Sequence, residues 1–404
     1  MLTESIKEKI SELSNTIPSN IGVAYGKKIT NNKFTGEKGI LFFVENKLPL
    51  SEIPENEVLP SSVIIDDKEY PTDVITSGAF SALACDPSCY TWQTVPPANR
   101  NIIRPLKGGV AMNTDNTFQY VGTLGFIAVD VATQALVGVT NNHVTNKDCF
   151  YTYYRNNVNG PISNEMNDGV RQNANNYPYI GKVVRYKPLD QTINTVDCSL
   201  VSVGSTDISL TESFKQYGLS YNLPMAFATT AEIDNLLITD PPLYSSGRTT
   251  GPKGPGPCQL TILGIDAVIP TIYYNNQLNS KACAFQECII FTRPDPTCPS
   301  PIAGGDSGSC LIADFNGVWK IIGIVFAGGS VVDQGTTYYI GVANRIDNVA
   351  SVMQIQAWDG TAKNYIDNNS FEYITIPQTS LDSTKTCNGS TYWQVGLTTD
   401  SYPC

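Results

Sequence analysis

Apolar residues recur at helical spacing between charged residues at the start of the chain, at Leu2, Ile6, Ile10, Leu13 and Ile17. A spacing of three or four residues places them on one face of a helix. We therefore predict an amphipathic helix over residues 1–17, whose apolar stripe packs against a core.

Short stretches rich in β-branched and aromatic residues follow, separated by Asn, Gly and Asp turn signals: 20–25, 39–45 and 62–65. Such stretches are typical of strands. Residues 1–80 are therefore predicted to form a small α+β domain. Residues 81–105, which contain several prolines and no clear periodicity, are predicted to be a linker.

Strand-like stretches continue through residues 106–350, with Gly, Pro and Asn between them: 119–129, 135–140, 179–186, 196–203, 258–270, 286–292, 309–314, 318–327 and 337–342. Many short strands without intervening helices favour a barrel or a sandwich over a parallel sheet. We predict a mainly β protein, and residues 351–404 are predicted to be a C-terminal tail module.

The balance of acidic and basic residues limits the classes of partner that the protein is expected to bind. With 26 basic and 37 acidic residues the net charge is −11, and no run of Lys or Arg stands out. We therefore expect no nucleic-acid partner and no membrane partner. The charged start does not resemble a signal peptide, and no apolar run reaches the roughly 18 residues of a membrane span. A cytoplasmic or virion-associated protein is expected.

The 11 cysteines are scattered and odd in number, and the chain has a single histidine. Neither a regular disulfide framework nor a zinc site is indicated, so we predict no metal and no cofactor. Cys198 and Cys310 are interpreted as small core residues. A bridge between Cys298 and Cys310 is left open by the sequence.

Three segments carry the residues that acyl transfer to a serine requires. His143 follows an apolar strand in Val137-Gly-Val-Thr-Asn-Asn-His143, and Ser307 lies between glycines in Ala303-Gly-Gly-Asp-Ser307-Gly. Asp197 precedes a strand in Asn194-Thr-Val-Asp197-Cys-Ser-Leu-Val. The chemistry needs a base for the hydroxyl proton, a carboxylate to orient the base and backbone donors for the oxyanion.

The carboxylate has competitors, because Asp148, Asp168 and Asp190 also lie between the histidine and the serine. We favour Asp197 because an apolar strand follows it directly and would hold the carboxylate on a rigid element. Arg248, in Ser246-Gly-Arg-Thr-Thr-Gly, is interpreted as a structural residue that bonds loop carbonyls.

The order His143, Asp197, Ser307 resembles that of the chymotrypsin-like serine peptidases. The resemblance implies two antiparallel six-stranded β-barrels with the three side chains in the cleft between them. It also implies that the backbone N–H groups of Gly305 and Ser307 bind the oxyanion.

Further motifs narrow the resemblance: residues 30–44, Thr72-Asp-Val, Gly108-Gly, Asn141-Asn-His-Val, Asn194-Thr-Val-Asp, Ser246-Gly-Arg-Thr-Thr-Gly, Gly305-Asp-Ser-Gly-Ser and Val325-Phe-Ala-Gly-Gly. Together they look like the intracellular trypsin-like proteins of bacteria and phages, which are related to the plant Narrow Leaf peptidases. The resemblance covers about residues 20–350.

The chain also departs from secreted trypsins. The cysteine that follows their histidine is Val144 here, which suits a reducing compartment. No basic cleavage site leads into a new N-terminus, so Asp306 needs another partner or the site is preformed. The position of the trypsin specificity carboxylate is Pro301, so a small or apolar P1 residue is expected.

An extended substrate is predicted to pair with the main chain of residues 324–329. The residues expected to line its site are Pro301, Phe326, Ala327, Gly328 and Gly329, the two glycines leaving the pocket mouth open.

The sequence thus predicts an endopeptidase that acts on polypeptides through an acyl-enzyme. Two alternatives stay open. The fold may instead serve as a non-catalytic or self-processing module, such as a virion component, which docks through residues 1–17 or the tail at 387–404. An esterase with the same residues would differ only in pocket shape.

Overall fold

The computed structural model describes the chain in fifteen segments: residues 4–16, 20–31, 33–82, 103–114, 121–145, 153–155, 169–171, 179–190, 192–213, 215–218, 226–275, 280–361, 363–365, 381–387 and 390–395. Most of the linker predicted at 81–105 and most of the tail at 387–404 lie outside these residues. The described chain is mainly β.

The described helices are few and short: α1 (Glu4–Thr16), α2 (Asn142–Thr145), α3 (Thr230–Asp234), α4 (Leu236–Thr239) and α5 (Ile346–Met353), with 3₁₀ turns at Leu50–Glu52 and Glu55–Glu57. In α1 the predicted stripe is buried at Ile6, Ile10 and Leu13. These side chains join the apolar cluster that also holds Val23 and Phe42, so the stripe is buried within the chain's own core.

The strands of the first half are β1 (Asn20–Thr30), β2 (Lys33–Val44), β3 (Ser62–Ile65), β4 (Lys68–Ser77), β5 (Phe80–Ala82), β6 (Val110–Thr114), β7 (Gly122–Leu124), β8 (Phe126–Asp130), β9 (Ala135–Thr140), β10 (Tyr153–Arg155), β11 (Gly169–Arg171), β12 (Tyr179–Tyr186), β13 (Ile193–Asn194) and β14 (Ser199–Ser202). Those of the second half are β15 (Ala226–Phe227), β16 (Leu243–Gly247), β17 (Gly251–Lys253), β18 (Thr261–Asn275), β19 (Ser280–Thr292), β20 (Cys310–Phe315), β21 (Val318–Asp333), β22 (Thr336–Arg345), β23 (Ile355–Ala357), β24 (Asn364–Tyr365), β25 (Leu381–Cys387) and β26 (Ser390–Val395).

The largest sheet joins strands from both ends of the chain. Its order is β17-β16-β20-β21-β22-β19-β18-β1-β2-β4-β3, and β5, β13 and β15 attach beside this path. The N-terminal strands belong to it because β1 pairs antiparallel with β18 and β4 pairs antiparallel with β21. Nothing in the sequence pattern signals this long-range pairing.

A second sheet has the order β23-β8-β9-β14-β12-β11-β6-β7, with β24 beside β9. Its apolar side chains form a cluster around Leu124, Val129 and Val201. A third, small sheet contains β10, β26 and β25. From the predicted tail module, Ile355–Ala357 thus pairs with β8 and Asn364–Tyr365 pairs with β9.

Several strands extend past the apolar runs that predict them. The clearest case is the hairpin of β21 and β22, in which Asp333 pairs with Thr336 across Gln334 and Gly335. Both turn residues have positive φ, 44° and 80°, as a tight hairpin turn requires. The polar residues near this turn are strand because their backbone groups bond across the hairpin, which apolar periodicity does not register.

One disulfide joins described cysteines, between Cys258 and Cys298. The bridge from Cys298 to Cys310 that the sequence left open is therefore absent, since Cys310 is a buried free thiol like Cys198, Cys283 and Cys288. Burial and the nearby Asp197 charge raise the pKa of Cys198 well above the usual thiol value. Among the described helices, none has the length and apolarity that a bilayer crossing requires.

Candidate active site

Three side chains far apart in sequence meet where the two large sheets approach each other. The Nδ1 atom of His143 lies 2.5 Å from Oδ2 of Asp197, and its Nε2 atom lies 2.7 Å from Oγ of Ser307. The ring therefore bridges a carboxylate and a hydroxyl. Asp197 and Ser307 have no exposed surface, and His143 is 6 % exposed.

His143 is held by the end of a strand. β9 ends at Thr140 and the chain turns once through α2, which contains the histidine. The backbone N–H groups of Asn142 and His143 donate to Oδ1 of Asp197 at 2.7 and 3.3 Å. The carboxylate thus fixes the turn as well as the ring.

Asp197 is surrounded by donors. Besides the two backbone N–H groups and the imidazole, the hydroxyl of Tyr274 donates to Oδ2 at 3.0 Å. The backbone N–H of Asp197 donates to Oδ1 of Asn344 at 2.9 Å. A buried carboxylate is costly unless it accepts such bonds, so these contacts hold a negative charge beside the ring.

The proton positions follow from the donor and acceptor types. A carboxylate only accepts, so Nδ1 of His143 carries the proton that Asp197 binds. Nε2 is then an acceptor that faces the Ser307 hydroxyl. This tautomer is the one in which an imidazole can take a proton from serine.

Glycines shape the turn that carries Ser307. Gly305 has φ +93° and Gly308 has φ +90°, a conformation that side chains rarely adopt. A Cβ at Gly308 would lie 2.1 Å from the carbonyl oxygen of Thr123. The sequence around the serine is therefore required by the backbone of the turn.

The peptide planes beside Ser307 are fixed from their carbonyl sides. The Thr249 hydroxyl donates to the Gly304 carbonyl at 2.6 Å, and the Ser309 N–H donates to the Asp306 carbonyl at 2.9 Å. In a trans peptide the N–H points opposite to the carbonyl. The N–H groups of Gly305 and Ser307 consequently point away from those donors, in orientations set before any substrate binds.

Asp306 has hydrogen-bond partners in its own chain, which is one of the two alternatives that the sequence left open. Its Oδ1 accepts from the backbone N–H groups of Thr249 and Thr250 at 2.8 and 3.1 Å. Its Oδ2 accepts from the Thr250 hydroxyl at 2.6 Å and from the Ala303 N–H at 2.9 Å. Lys253 donates to the Thr250 hydroxyl. Burial lowers the pKa of Lys253, and the Asp306 charge offsets part of this shift.

Of the three aspartates that compete with Asp197 in the sequence, the structure describes one, Asp190. Asp190 lies in a loop, where its Oδ1 accepts from the backbone and hydroxyl of Thr192. Asp148 and Asp168 lie outside the described residues. Arg248 is buried and its Nη1 donates to the Thr249 hydroxyl at 3.2 Å, so it supports the residue that holds Gly304.

The residues predicted to line the substrate site have neighbours from this chain. The Phe326 carbonyl lies 3.4 Å from Oγ of Ser307, and Pro301 is buried. A Cβ at Gly328 would lie 2.0 Å from Cδ1 of Ile302, and one at Gly329 would lie 3.3 Å from the Ala79 carbonyl. The space expected to be open beside these glycines is therefore filled by Ile302 and by the segment around Phe80, and Ala327 pairs with Ala82.

The sequence does not predict two residues that contact this site, Thr249 and Tyr274. Thr249 lies in the Ser246–Gly251 motif, where the sequence predicts a role for Arg248 alone. Tyr274 lies in the polar end of β18 and carries no motif at all. Within the described ranges no group of three or more His, Cys, Asp or Glu side chains is arranged to hold a metal ion.

No protein-family model and no curated protein matches the chain. Similar solved structures are chymotrypsin-like serine proteases. A glutamic acid-specific serine protease with a histidine triad in substrate binding has a TM-score of 0.39 and 16 % identity, covering 63 % of this chain and 100 % of its own. The Cellulomonas bogoriensis chymotrypsin has a TM-score of 0.37 and 14 % identity, covering 63 % of this chain and 98 % of its own. Thermobifida fusca protease A has a TM-score of 0.37 and 18 % identity, covering 63 % of this chain and 98 % of its own.

Proposed function

We propose that this protein is a serine endopeptidase that hydrolyses polypeptides through an acyl-enzyme on Ser307. The observation that carries the proposal is the His143 ring, which bonds the buried Asp197 carboxylate through Nδ1 and the Ser307 hydroxyl through Nε2. An imidazole held in this way is a general base aligned with a nucleophile.

In the first half of the reaction, Oγ of Ser307 attacks the peptide carbonyl carbon while Nε2 of His143 accepts the hydroxyl proton. The C–N bond then breaks, and the imidazolium gives that proton to the leaving amine. In the second half, water loses a proton to Nε2 and attacks the acyl carbon. The ester bond to Oγ breaks, the carboxylic acid leaves, and Ser307 regains its proton. Asp197 stabilises the imidazolium in both halves.

The oxyanion of each tetrahedral intermediate would bind the N–H groups of Gly305 and Ser307. Donors that are oriented beforehand cost no reorganisation during the reaction. The bonds from Thr249 to Gly304 and from Ser309 to Asp306 support such an orientation. No cofactor takes part in this scheme.

We further propose the finer kinship indicated by the motifs. The two large sheets would correspond to the two barrels of the chymotrypsin architecture, with His143 and Asp197 from one and Ser307 from the other. The motifs around His143 and Ser307 support a relation to the intracellular trypsin-like proteins of bacteria and phages.

A fluorophosphonate, which phosphonylates activated serines, tests the proposal without knowledge of the substrate. We expect the full chain to gain one phosphonyl group, which peptide mapping locates on Ser307. Ser307→Ala should abolish labelling, whereas the matched change Ser309→Ala, two residues away, should retain it. Labelling absent from the folded protein, or found on another serine, would contradict the proposed function.

A further inference from the structure

A segment upstream of the catalytic residues runs along the strand on which a substrate is expected to pair. Thr76 and Ser77 pair antiparallel with Val332 and Val331 of β21. The backbone N–H of Gly78 then donates to the Ser330 carbonyl at 2.9 Å. The chain therefore follows β21 in the direction of the Ser307 turn.

The run continues into β5, the segment Phe80–Ala82. Ser81 pairs with Gly328 and Ala82 pairs with Ala327, again antiparallel. The next residue of β21 in that direction is Phe326, whose carbonyl lies 3.4 Å from Oγ of Ser307. β5 thus lies in extended form on the edge that leads to the nucleophile, with the polarity of an antiparallel partner strand.

β5 is held in this position by more than its pairing with β21. On its other side Phe80 and Ser81 pair parallel with Ile272 and Tyr273 of β18. The Phe80 ring is 1 % exposed and meets the Phe43 ring edge-on at 6.0 Å between centroids. A Cβ at Gly329 would lie 3.3 Å from the Ala79 carbonyl and 3.5 Å from the Phe80 ring, so this segment packs closely against the glycine.

The edge of β21 has one set of backbone donors and acceptors on this side, and β5 uses it at Ala327 and Gly328. A second extended peptide cannot pair there while β5 is bound, because a strand edge forms one ladder at a time.

We propose that Phe80–Ala82 is the built-in occupant of the peptide-binding edge of β21, so that the chain inhibits its own peptidase site by competing with extended polypeptide substrates. This inference rests on the proposed function. Because β5 is tethered, its effective concentration at the edge is on the order of millimolar or higher. A substrate must displace it before its own main chain can pair with β21.

Ser81→Pro tests the proposal, because proline removes the backbone N–H of the residue that pairs with Gly328 and disfavours a central strand. The substrate is fluorescently labelled unfolded casein, which offers every type of P1 residue in extended chain. Its hydrolysis is divided by the amount of Ser307 that fluorophosphonate labels at the end point. We expect this ratio to rise at least tenfold in Ser81→Pro.

The matched control is Ser62→Pro, the same substitution in the first residue of the edge strand β3, where proline is tolerated. Its ratio should equal that of the unchanged chain. If Ser81→Pro folds and is labelled but cleaves casein no faster than the unchanged chain, β5 is not an inhibitor. If Ser307 is unlabelled in all three proteins, the proposed function fails, and the inference fails with it.

Hydrogen exchange on the Ser307→Ala chain tests displacement without any change in β5. Excess unfolded casein should speed the exchange of the Ser81 and Ala82 amides at least tenfold, because binding requires β5 to leave β21. Casein that binds while these amides exchange at their former rate would overturn the proposal.

Discussion

The hydroxyl of Thr249 donates a hydrogen bond to the carbonyl oxygen of Gly304, at 2.6 Å. This bond fixes the peptide plane whose N–H belongs to Gly305, and the same hydroxyl accepts from Nη1 of Arg248. A residue outside the cluster of His143, Asp197 and Ser307 therefore orients one of the two expected oxyanion donors.

Thr249→Val removes this hydroxyl and keeps the shape of the side chain. We expect the rate of Ser307 phosphonylation to fall about tenfold, less than the hundredfold or more that loss of an oxyanion donor itself costs. Thr249→Ser, which keeps the hydroxyl, should restore most of the rate. Equal losses in the Val and Ser variants would show that the hydroxyl is not responsible.

Asp306→Asn tests the anchor of the same turn. The carboxylate accepts four hydrogen bonds and faces the buried Lys253. Bonds to charged groups contribute about 1.5–3 kcal/mol each, and an amide replaces one acceptor by a donor. We expect the free energy of unfolding to fall by about 2 kcal/mol or more, measured by urea titration, together with slower labelling of Ser307. An unchanged free energy of unfolding would contradict this role.

Tyr274→Phe removes the hydroxyl that donates to Asp197 and keeps the ring against His143, whose centroid lies 5.5 Å away. We expect labelling of Ser307 to slow about threefold to tenfold, since Asp197 keeps its other donors. Tyr273→Phe is the matched control, because Tyr273 is the preceding residue and is 42 % exposed. Equal effects of the two changes would argue against a role for Tyr274.

The sequence alone predicts part of this site, because the signals for these residues come from their neighbours along the chain. Ser307 lies between glycines whose positive φ is a property of the turn itself, and His143 directly follows a strand that its apolar run predicts. Asp197 stands out from Asp190 because a buried strand follows it. In each case neighbouring residues carry the information.

Sequence patterns do not predict Tyr274 and Thr249, because the contacts of these residues depend on register between distant strands. The pairing of Ser81 with Gly328 is the same kind of relationship, since 247 positions separate the two residues. Apolar periodicity predicts that a strand exists but does not say which edge it joins. The sequence therefore predicted the strand β21, and not its pairing with β5.

Buried thiols give the protein a specific response to alkaline pH. Burial raises the pKa of Cys310 well above the usual thiol value of 9.0, and burial does the same for Cys288. Above pH 9 the unfolded thiols lose protons that the folded thiols keep, so the free energy of unfolding falls as pH rises. The slope for each thiol approaches about 1.4 kcal/mol per pH unit once the unfolded thiol is fully ionised.

Cys310→Ala checks this sign, because it removes one such thiol. In urea titrations between pH 9 and 10, its free energy of unfolding should fall less steeply than that of the unchanged chain, by about 1 kcal/mol over this interval, because the unfolded thiol is only half ionised at pH 9. Ser309→Ala, at the adjacent position, should keep the original slope. Identical slopes in all three proteins would mean that the folded thiol ionises as the unfolded one does.

The most direct test of the account is the rate constant for fluorophosphonate labelling of Ser307 in the unchanged chain and in His143→Ala. General-base activation by the imidazole predicts a fall of at least about a hundredfold in the variant, with folding retained. Labelling of Ser307 at the same rate without the imidazole would contradict the claim that His143 activates this serine.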